Sequence, residues 1–367
     1  MRILHITAME ILSPNSGIPA VLKNLSEAQN NIAGIEAIVL SLKAEVNDIP
    51  SKYFYYLNKE DIGEYIKRIN PDLAILHGFF HPVYFYVVRA LMRNGVPFCN
   101  EPHSSFGRKA LKKSALKKFI ANNTIFRPQI NKAKAYIFTN QQEYDDSKYH
   151  TTRDVVIPNG VIPSIVSSAK PKTQESIKKP IFYYLGRYDV HHKGLDYLFD
   201  ALDILDKKKC NIMVKFFGIG DEKQILYVRN RLANLNIIDA KDYGAIYGDE
   251  KKKELELCNI LLLTSRYEGS PMTVLDGFSY GNPCIVTPGT NVADEASNNQ
   301  IGWKTELDAE NIATTIIKAA EEYKKDWLGY YNRCRQHVID NYLWDKIASL
   351  SIAKYKEILI NNENNEE

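Results

Sequence analysis

Twice along this chain of 367 residues, short apolar runs alternate with longer stretches of helical periodicity. In the first half the runs lie at residues 2–7, 36–42, 72–77, 97–103, 135–140 and 154–158. A second series lies at 181–186, 211–218, 239–244, 259–265 and 283–287. Such alternation predicts parallel sheets covered by helices on both faces. The runs are almost continuously apolar, as strands buried on both sides are. Between the two series, residues 161–180 are rich in Pro, Ser and Lys and hold no sustained period. That stretch reads as a linker or interdomain crossing. After Asp308 the pattern is helical as far as a polar tail. The expected class is α/β, with doubly wound parallel-sheet domains at 1–165 and 166–343 facing a cleft. In open sheets of this kind, ligands bind beyond the C-terminal ends of the strands.

Composition removes several other classes. The net charge of +3 is too small to argue for a nucleic-acid partner. Cys99, Cys210, Cys258, Cys284 and Cys334 are far apart and odd in number, with no C-x-x-C pair, so neither a disulfide framework nor a zinc knuckle is indicated. A reducing, cytoplasmic setting fits. The start, MRILHITAME, reads as a first strand rather than a signal peptide, and no run approaches the ~18 apolar residues of a membrane span. His77 and His81 are spaced H-x3-H, but Gly78 and Pro82 interrupt any helix between them, which disfavours a metal site. Gly218-x-Gly220 is followed by Lys223 where a dinucleotide fingerprint has its third glycine. Asp189, His191 and His192 read as a loop beside a phosphate site. Lys207–Lys209 and Lys251–Lys253 read as solvated charges.

Two stretches carry the chemistry. In SRYEGSPMTVLDGFSYGNPCIV, residues 265–286, an apolar strand is followed by Glu268 and Gly269. Ser270 suits a helix N-cap and Pro271 a first helical residue. A helix start offers unpaired N–H groups and the positive end of a dipole, which together hold phosphate. Asp276 lies about 9 Å further along the helix, one turn below Met272. On spacing alone, a capped helix with solvent-facing acids is an equally open reading. In FYYLGRYDVHHKGLDYLFDAL, residues 182–202, Gly186 closes a strand, Arg187 follows it, and Lys193-Gly194 opens an amphipathic helix. Two cations flanking a strand–helix loop suit a diphosphate. A pair of unit charges ~4 Å apart interacts with ~4 kcal/mol at an effective dielectric of ~20.

Together the two stretches resemble those of retaining GT-B glycosyltransferases of glycosyltransferase family 4 (glycosyl transferases group 1). The resemblance covers nearly the whole chain. It is carried by Ser16-Gly17, His103, Pro158-Asn159-Gly160, Gly186-Arg187, Lys193-Gly194, Phe217-Gly218-x-Gly220 and an acidic pair spaced as E-x7-E. It implies two Rossmann-like domains: an N-terminal acceptor-binding domain, on which a last helix at about 344–361 packs back, and a C-terminal nucleotide-sugar domain. It further implies that Arg187 and Lys193 hold the donor diphosphate, and that Glu268 contacts the transferred sugar. The backbone of Gly269, Ser270 and Pro271, running into Met272, would wrap sugar and phosphate. Asp276 would bind the ribose, His103 would lie near the sugar, and Gly17 and Gly186 would lie close to the phosphates. Two departures stand out. Asp276 replaces a glutamate, which sets its carboxylate about 1.5 Å back, and the early loop has one glycine where many relatives have two.

The implied reaction moves a sugar, with retention and without a metal or other cofactor, from a UDP- or GDP-sugar to a saccharide or lipid-linked acceptor in bacterial surface polysaccharide synthesis. Consistent with that, no D-x-D tripeptide stands at a strand end. A nucleotide-sugar epimerase on the same fold and a non-catalytic partner subunit remain alternatives. Residues 104–134 hold nine Lys or Arg and no acid. That basic surface, over 108–134, suits either plain solvation or peripheral contact with an anionic membrane on its cytoplasmic side.

Overall fold

The computed structural model describes the chain except residues 10–16, 43–53, 57–61, 109–110, 112–114, 170, 173–176 and 361–367. The chain divides into two compact units, Met1–Gly160 with Trp344–Glu367, and Val161–Leu343.

The N-terminal unit is built on five parallel strands: β1 (Arg2–Thr7), β2 (Glu36–Ser41), β3 (Phe54–Tyr56), β4 (Leu73–His77) and β5 (Phe98–Glu101). Their order is β3-β2-β1-β4-β5. The short strands β6 (Ile137–Phe138) and β7 (Val155–Val156) pair with each other, far shorter than the apolar runs around them. β3 was not expected from the sequence, because three residues at a sheet edge give no period to read. The last helix, Trp344–Ile360, belongs to this unit. Its first residue fixes one motif: a Cβ added to Gly160 would lie 2.5 Å from the Trp344 ring, so the glycine of Pro158-Asn159-Gly160 makes room for that indole.

The second unit has six parallel strands: β8 (Ile181–Leu185), β9 (Met213–Phe217), β10 (Asp239–Asp242), β11 (Ile260–Leu263), β12 (Cys284–Val286) and β13 (Gly302–Lys304). The order β10-β9-β8-β11-β12-β13 reverses direction between β8 and β11. Both faces are covered, and the residues alternate between them. Phe182 and Tyr184 of β8, with Ile260 and Leu262 of β11, enter one core. Tyr183, Leu185, Leu261 and Leu263 enter the other. β13, three residues at the edge, was not expected either. The segment read as a linker contains a short helix, Pro163–Ser168, whose first residue is a proline suited to that position.

All five cysteines are free. Among the described residues, no helix is long and apolar enough to cross a membrane.

Candidate active site

The point where strand order reverses is where an open parallel sheet leaves a crevice beyond its carboxyl ends. In the C-terminal unit, that point lies between the ends of β8 and β11. The loop after β8 carries Arg187 and Lys193, and the loop after β11 carries Glu268. Lys193 Nζ lies 2.5 Å from Glu268 Oε1, in a pair with only 14% and 10% of the side-chain surface exposed. The Ser265 hydroxyl donates to the same oxygen at 2.5 Å. Asn291 Nδ2 holds the Glu268 and Gly269 carbonyls, the latter at 3.1 Å. Arg187 is exposed. It follows β8 directly, and its carbonyl accepts from the hydroxyl of the buried Tyr184 at 2.7 Å. Burial, and then Glu268, push that phenol well above its ordinary pKa.

The two loops are fastened to each other. Arg266 grips Asp196, in the first turn of helix Leu195–Lys207, through two bonds of 2.8 and 2.6 Å. Burial alone would raise the Asp196 pKa, but the guanidinium holds it below the usual carboxylate range. His192 stacks on Tyr267 at 4.2 Å and bonds its carbonyl through Nε2 at 2.8 Å. The Thr264 hydroxyl donates to the Lys193 and Gly194 carbonyls at 3.3 and 3.2 Å. Gly194 has φ +61°, and a Cβ there would lie 2.0 Å from the Thr264 carbonyl oxygen. Only glycine meets both conditions. The Gly218-x-Gly220 pair has a similar packing role. A Cβ on Gly218 would lie 2.3 Å from the Tyr188 ring, whose hydroxyl donates to Asp242 at 2.7 Å. The pair thus seats the residue next to Arg187.

Helix Met272–Ser279 begins differently from the expectation. Pro271, not Ser270, occupies the cap position, and no side chain caps the helix. Proline contributes no N–H of its own, the Val274 N–H turns back to the Pro271 carbonyl at 2.9 Å, and among the described residues no side chain caps the first turn. Asp276 is also partly buried and paired, not a solvent-facing acid. Its Oδ2 accepts from Lys251 Nζ at 2.6 Å. Lys251, read from sequence as a solvated charge, is therefore part of this arrangement. The sequence held no signal for it, because the partners are 25 positions apart on different helices. Lys208 does match the solvated reading: it is exposed, 3.6 Å from Glu310.

In the N-terminal unit, His103 follows β5 with φ +47°, and Ser104 follows with φ +65°. Two consecutive non-glycine residues in the left-handed region are strained, and such strain gathers at functional sites. The loop is held by Glu143, which accepts from the Ser104 N–H. His103 keeps 13% of its side chain exposed and lies 3.5 Å from Glu101 Oε1. Glu101 Oε2 lies 3.2 Å from His77 Nδ1. Ligand-capable atoms of His77, Glu101 and His103 lie within 4.8 Å of one another, a spacing that hydrogen bonds and metal coordination share. His81 is not part of the group. Sequence reasoning missed His77 and Glu101 here. The strand-end run Asn-Glu-Pro-His was the available signal. Gly17 opens helix Gly17–Asn30, and a Cβ there would meet nothing within 4 Å. Ser16 lies outside the described residues.

The structure matches a glycosyltransferase from Rickettsia africae ESF-5 over 98% of each chain, with a TM-score of 0.72 at 18% identity. It matches Anabaena HepE, solved in complex with UDP and glucose, over 97% of this chain and 100% of that one, with a TM-score of 0.73 at 12% identity. The fold is GT-B. Within it, the family model for glycosyl transferases group 1 matches residues 167–336, which lie inside the C-terminal unit. The lipopolysaccharide 1,6-galactosyltransferase of Escherichia coli K12 is 32% identical over 110 residues, 28% of this chain and 29% of that protein. The chain thus spans less than a third of the length of that curated relative.

Proposed function

We propose that this GT-B protein transfers a sugar from a UDP- or GDP-sugar to a saccharide or lipid-linked acceptor, with retention at the anomeric carbon. The observation that carries the reading is the Lys193–Glu268 pair at the reversal point of the C-terminal sheet, with Arg187 in the same loop as Lys193. The names of the neighbours agree with it: one was solved with UDP and glucose, and one relative is a galactosyltransferase.

In this reading the donor diphosphate meets the Arg187 guanidinium, the Lys193 ammonium and the uncapped start of helix Met272–Ser279. These charges are fixed before the reaction, so they stabilise the negative charge that grows on the leaving diphosphate. They take the place of a metal ion. Glu268, already oriented by Lys193 and Ser265, accepts from a hydroxyl of the transferred sugar. Gly186, Gly269, Ser270, Pro271 and Met272 line the donor, and Asp276 binds the ribose. Gly17 lies close to the phosphates, with no described residue within 4 Å of where a Cβ would stand. His103 meets the sugar. The acceptor hydroxyl attacks from the face the diphosphate leaves, and a diphosphate oxygen takes its proton.

The acceptor belongs to surface polysaccharide synthesis on the cytoplasmic side, and the protein acts at the membrane surface. Helix Ala115–Asn123 supports that placement. It exposes Leu116, Phe119 and Ile120 beside Lys117, a surface that an anionic bilayer would cover. Lys109, Lys112 and Lys113 lie outside the described residues.

A thermal-shift series with UDP, GDP, ADP and their sugars tests the reading. A bound ligand at 100 times its Kd stabilises by about 2.7 kcal/mol, and Arg187→Ala with Lys193→Met should abolish the shift. If no nucleotide moves the transition, or the double variant binds as the parent does, the donor site is misassigned.

A further inference from the structure

A chain of hydrogen bonds crosses the N-terminal unit, and its direction can be deduced. It starts on helix Trp344–Ile360, where the Ser351 hydroxyl donates to the Ala348 carbonyl at 2.7 Å, beside the Tyr355 phenol, which bonds both Ser351 and Gln29. Ser351 Oγ therefore accepts from the Gln29 amide at 2.9 Å. That turns the Gln29 carbonyl toward His5 Nε2 at 2.8 Å, so Nε2 carries a proton. His5 is fully buried, and burial lowers its pKa to about 4. The ring is neutral, and its Nδ1 must accept. His77 Nε2, 2.9 Å away, is the donor. Burial, then the charges of His5 and His103, hold His77 well below its ordinary pKa, so it too is neutral. Its Nδ1 then bears a lone pair. Near that lone pair lie His103 Nε2, a hydrogen-bond partner at 3.4 Å, and Glu101 Oε2 at 3.2 Å.

The surroundings of Glu101 settle which of them donates. It is faced by His77 from β4, His103 from its own loop, Glu143 from helix Gln141–Asp146 and Tyr355 from helix Trp344–Ile360. Among the described residues, no Lys or Arg pairs with it. Glu143 accepts from the Ser104 N–H, the Thr139 N–H at 2.8 Å and the Thr139 hydroxyl at 2.6 Å. Of two neighbouring buried carboxyls, Glu143 is thus the one the fold supports as an anion. A second negative charge beside it, with no cation, is disfavoured.

We propose that Glu101 is a neutral carboxylic acid that donates to His77 Nδ1 and accepts from His103 Nε2, so that His103 presents Nδ1 as a hydrogen-bond acceptor. Burial and the Glu143 charge favour the same state, pushing the Glu101 pKa up to about 8. The loop of left-handed residues aims the ring, and the chain sets which nitrogen is bare. Resting on the reading that His103 meets the donor sugar, the inference assigns the ligand group: a sugar hydroxyl that donates to Nδ1. Gln29, His5, His77 and Glu101 are positioning residues. Turning the Gln29 amide over would reverse every donor in the chain and end on an ionised Glu101.

The test is long-range 1H–15N spectroscopy of the full chain labelled in its histidines, with 13C-labelled glutamate. Between pH 6 and 7.5, His77 and His103 should both be Nε2–H tautomers, with a Glu101 carboxyl that titrates near 8. A proton on His77 Nδ1, an ionised Glu101 at pH 6, or stoichiometric capture of added Zn2+ by these three residues would overturn the proposal. This readout needs no substrate, so it stands or falls apart from the donor reading. A second arm uses turnover with a nucleotide sugar. Glu101→Ala should lower kcat at least tenfold. Glu101→Gln, whose amide donates and accepts at the same places, should rescue it and remove the alkaline limb near pH 8. Equal kcat in the two variants would refute the positioning role. A parent inactive on every nucleotide sugar would refute the donor reading alone.

Discussion

Replacing Lys193 by Met keeps most of the stem and removes the charge, leaving the Glu268 carboxylate in a pocket where only a tenth of its surface meets solvent. Orphaning one member of a fully buried pair costs about 3–5 kcal/mol. Here the Ser265 hydroxyl still bonds the carboxylate, and the remaining exposure lets water screen it. Both lower the figure to about 2–3 kcal/mol. In a unit of this size, each kcal/mol moves Tm by about 2–4 °C, so the loss should be about 4–12 °C. Adding Glu268→Gln removes the stranded charge, and stability should return to within about 1 kcal/mol of the parent. Activity should behave differently. Turnover should fall roughly 10²–10³-fold in Lys193→Met, the scale for one preorganised charge stabiliser, and the second substitution should not restore it. Scanning calorimetry and steady-state turnover on the three proteins separate the effects. A Lys193→Met protein that melts within about 1 °C of the parent would show that the pair carries no such energy. Recovered turnover in the double variant would refute the role of the ammonium at the diphosphate.

Gly194→Ala should cost at least about 3 kcal/mol, since it adds left-handed strain of about 1–2 kcal/mol to a clash with the Thr264 carbonyl. Gly17→Ala, with open space around the new methyl, should leave urea stability unchanged or raised while weakening nucleotide binding. Stability of the N-terminal unit should peak near pH 6.5. The depressed pKa values of His5, His77, His81 and His103 give stability present above about 6.5 and lost as pH falls below it, toward 4 for His5 and His103. The raised pKa of Glu101 gives stability present below about 4.3 and lost as pH rises through 8. Four histidines outweigh one acid below the peak, and from 6.5 to 7.5 the acid leads, since the buried Cys99 thiol, whose pKa is also raised, joins only near its ordinary value of about 8.5. Urea midpoints at pH 5.5, 6.5 and 7.5 should show the decline above 6.5 in the parent and not in Glu101→Gln. A flat parent curve over that range would mean that Glu101 is ionised throughout.

Sequence alone determined the architecture, because buried parallel strands leave a local signature. Runs such as Ile260–Leu261–Leu262–Leu263 are apolar on both faces, and most strands are followed by a helix before the next strand begins. The placement of Arg187, Lys193 and Glu268 in the loops that follow strands was legible for the same reason, and open sheets of this kind bind ligands beyond strand ends. The edge strands β3 and β13 were not legible, since three residues carry no period and their pairing is decided by the neighbouring strand. Pairings across long sequence separations were hidden as well. Lys251 with Asp276, and Arg266 with Asp196, look like ordinary surface charges until the fold brings their helices and loops together. The chain from Ser351 to Glu101 spans most of the sequence, and each link has donor and acceptor roles fixed by its neighbour. Local composition cannot state such roles, because a histidine's tautomer depends on what faces each nitrogen, and only the packed tertiary structure decides that.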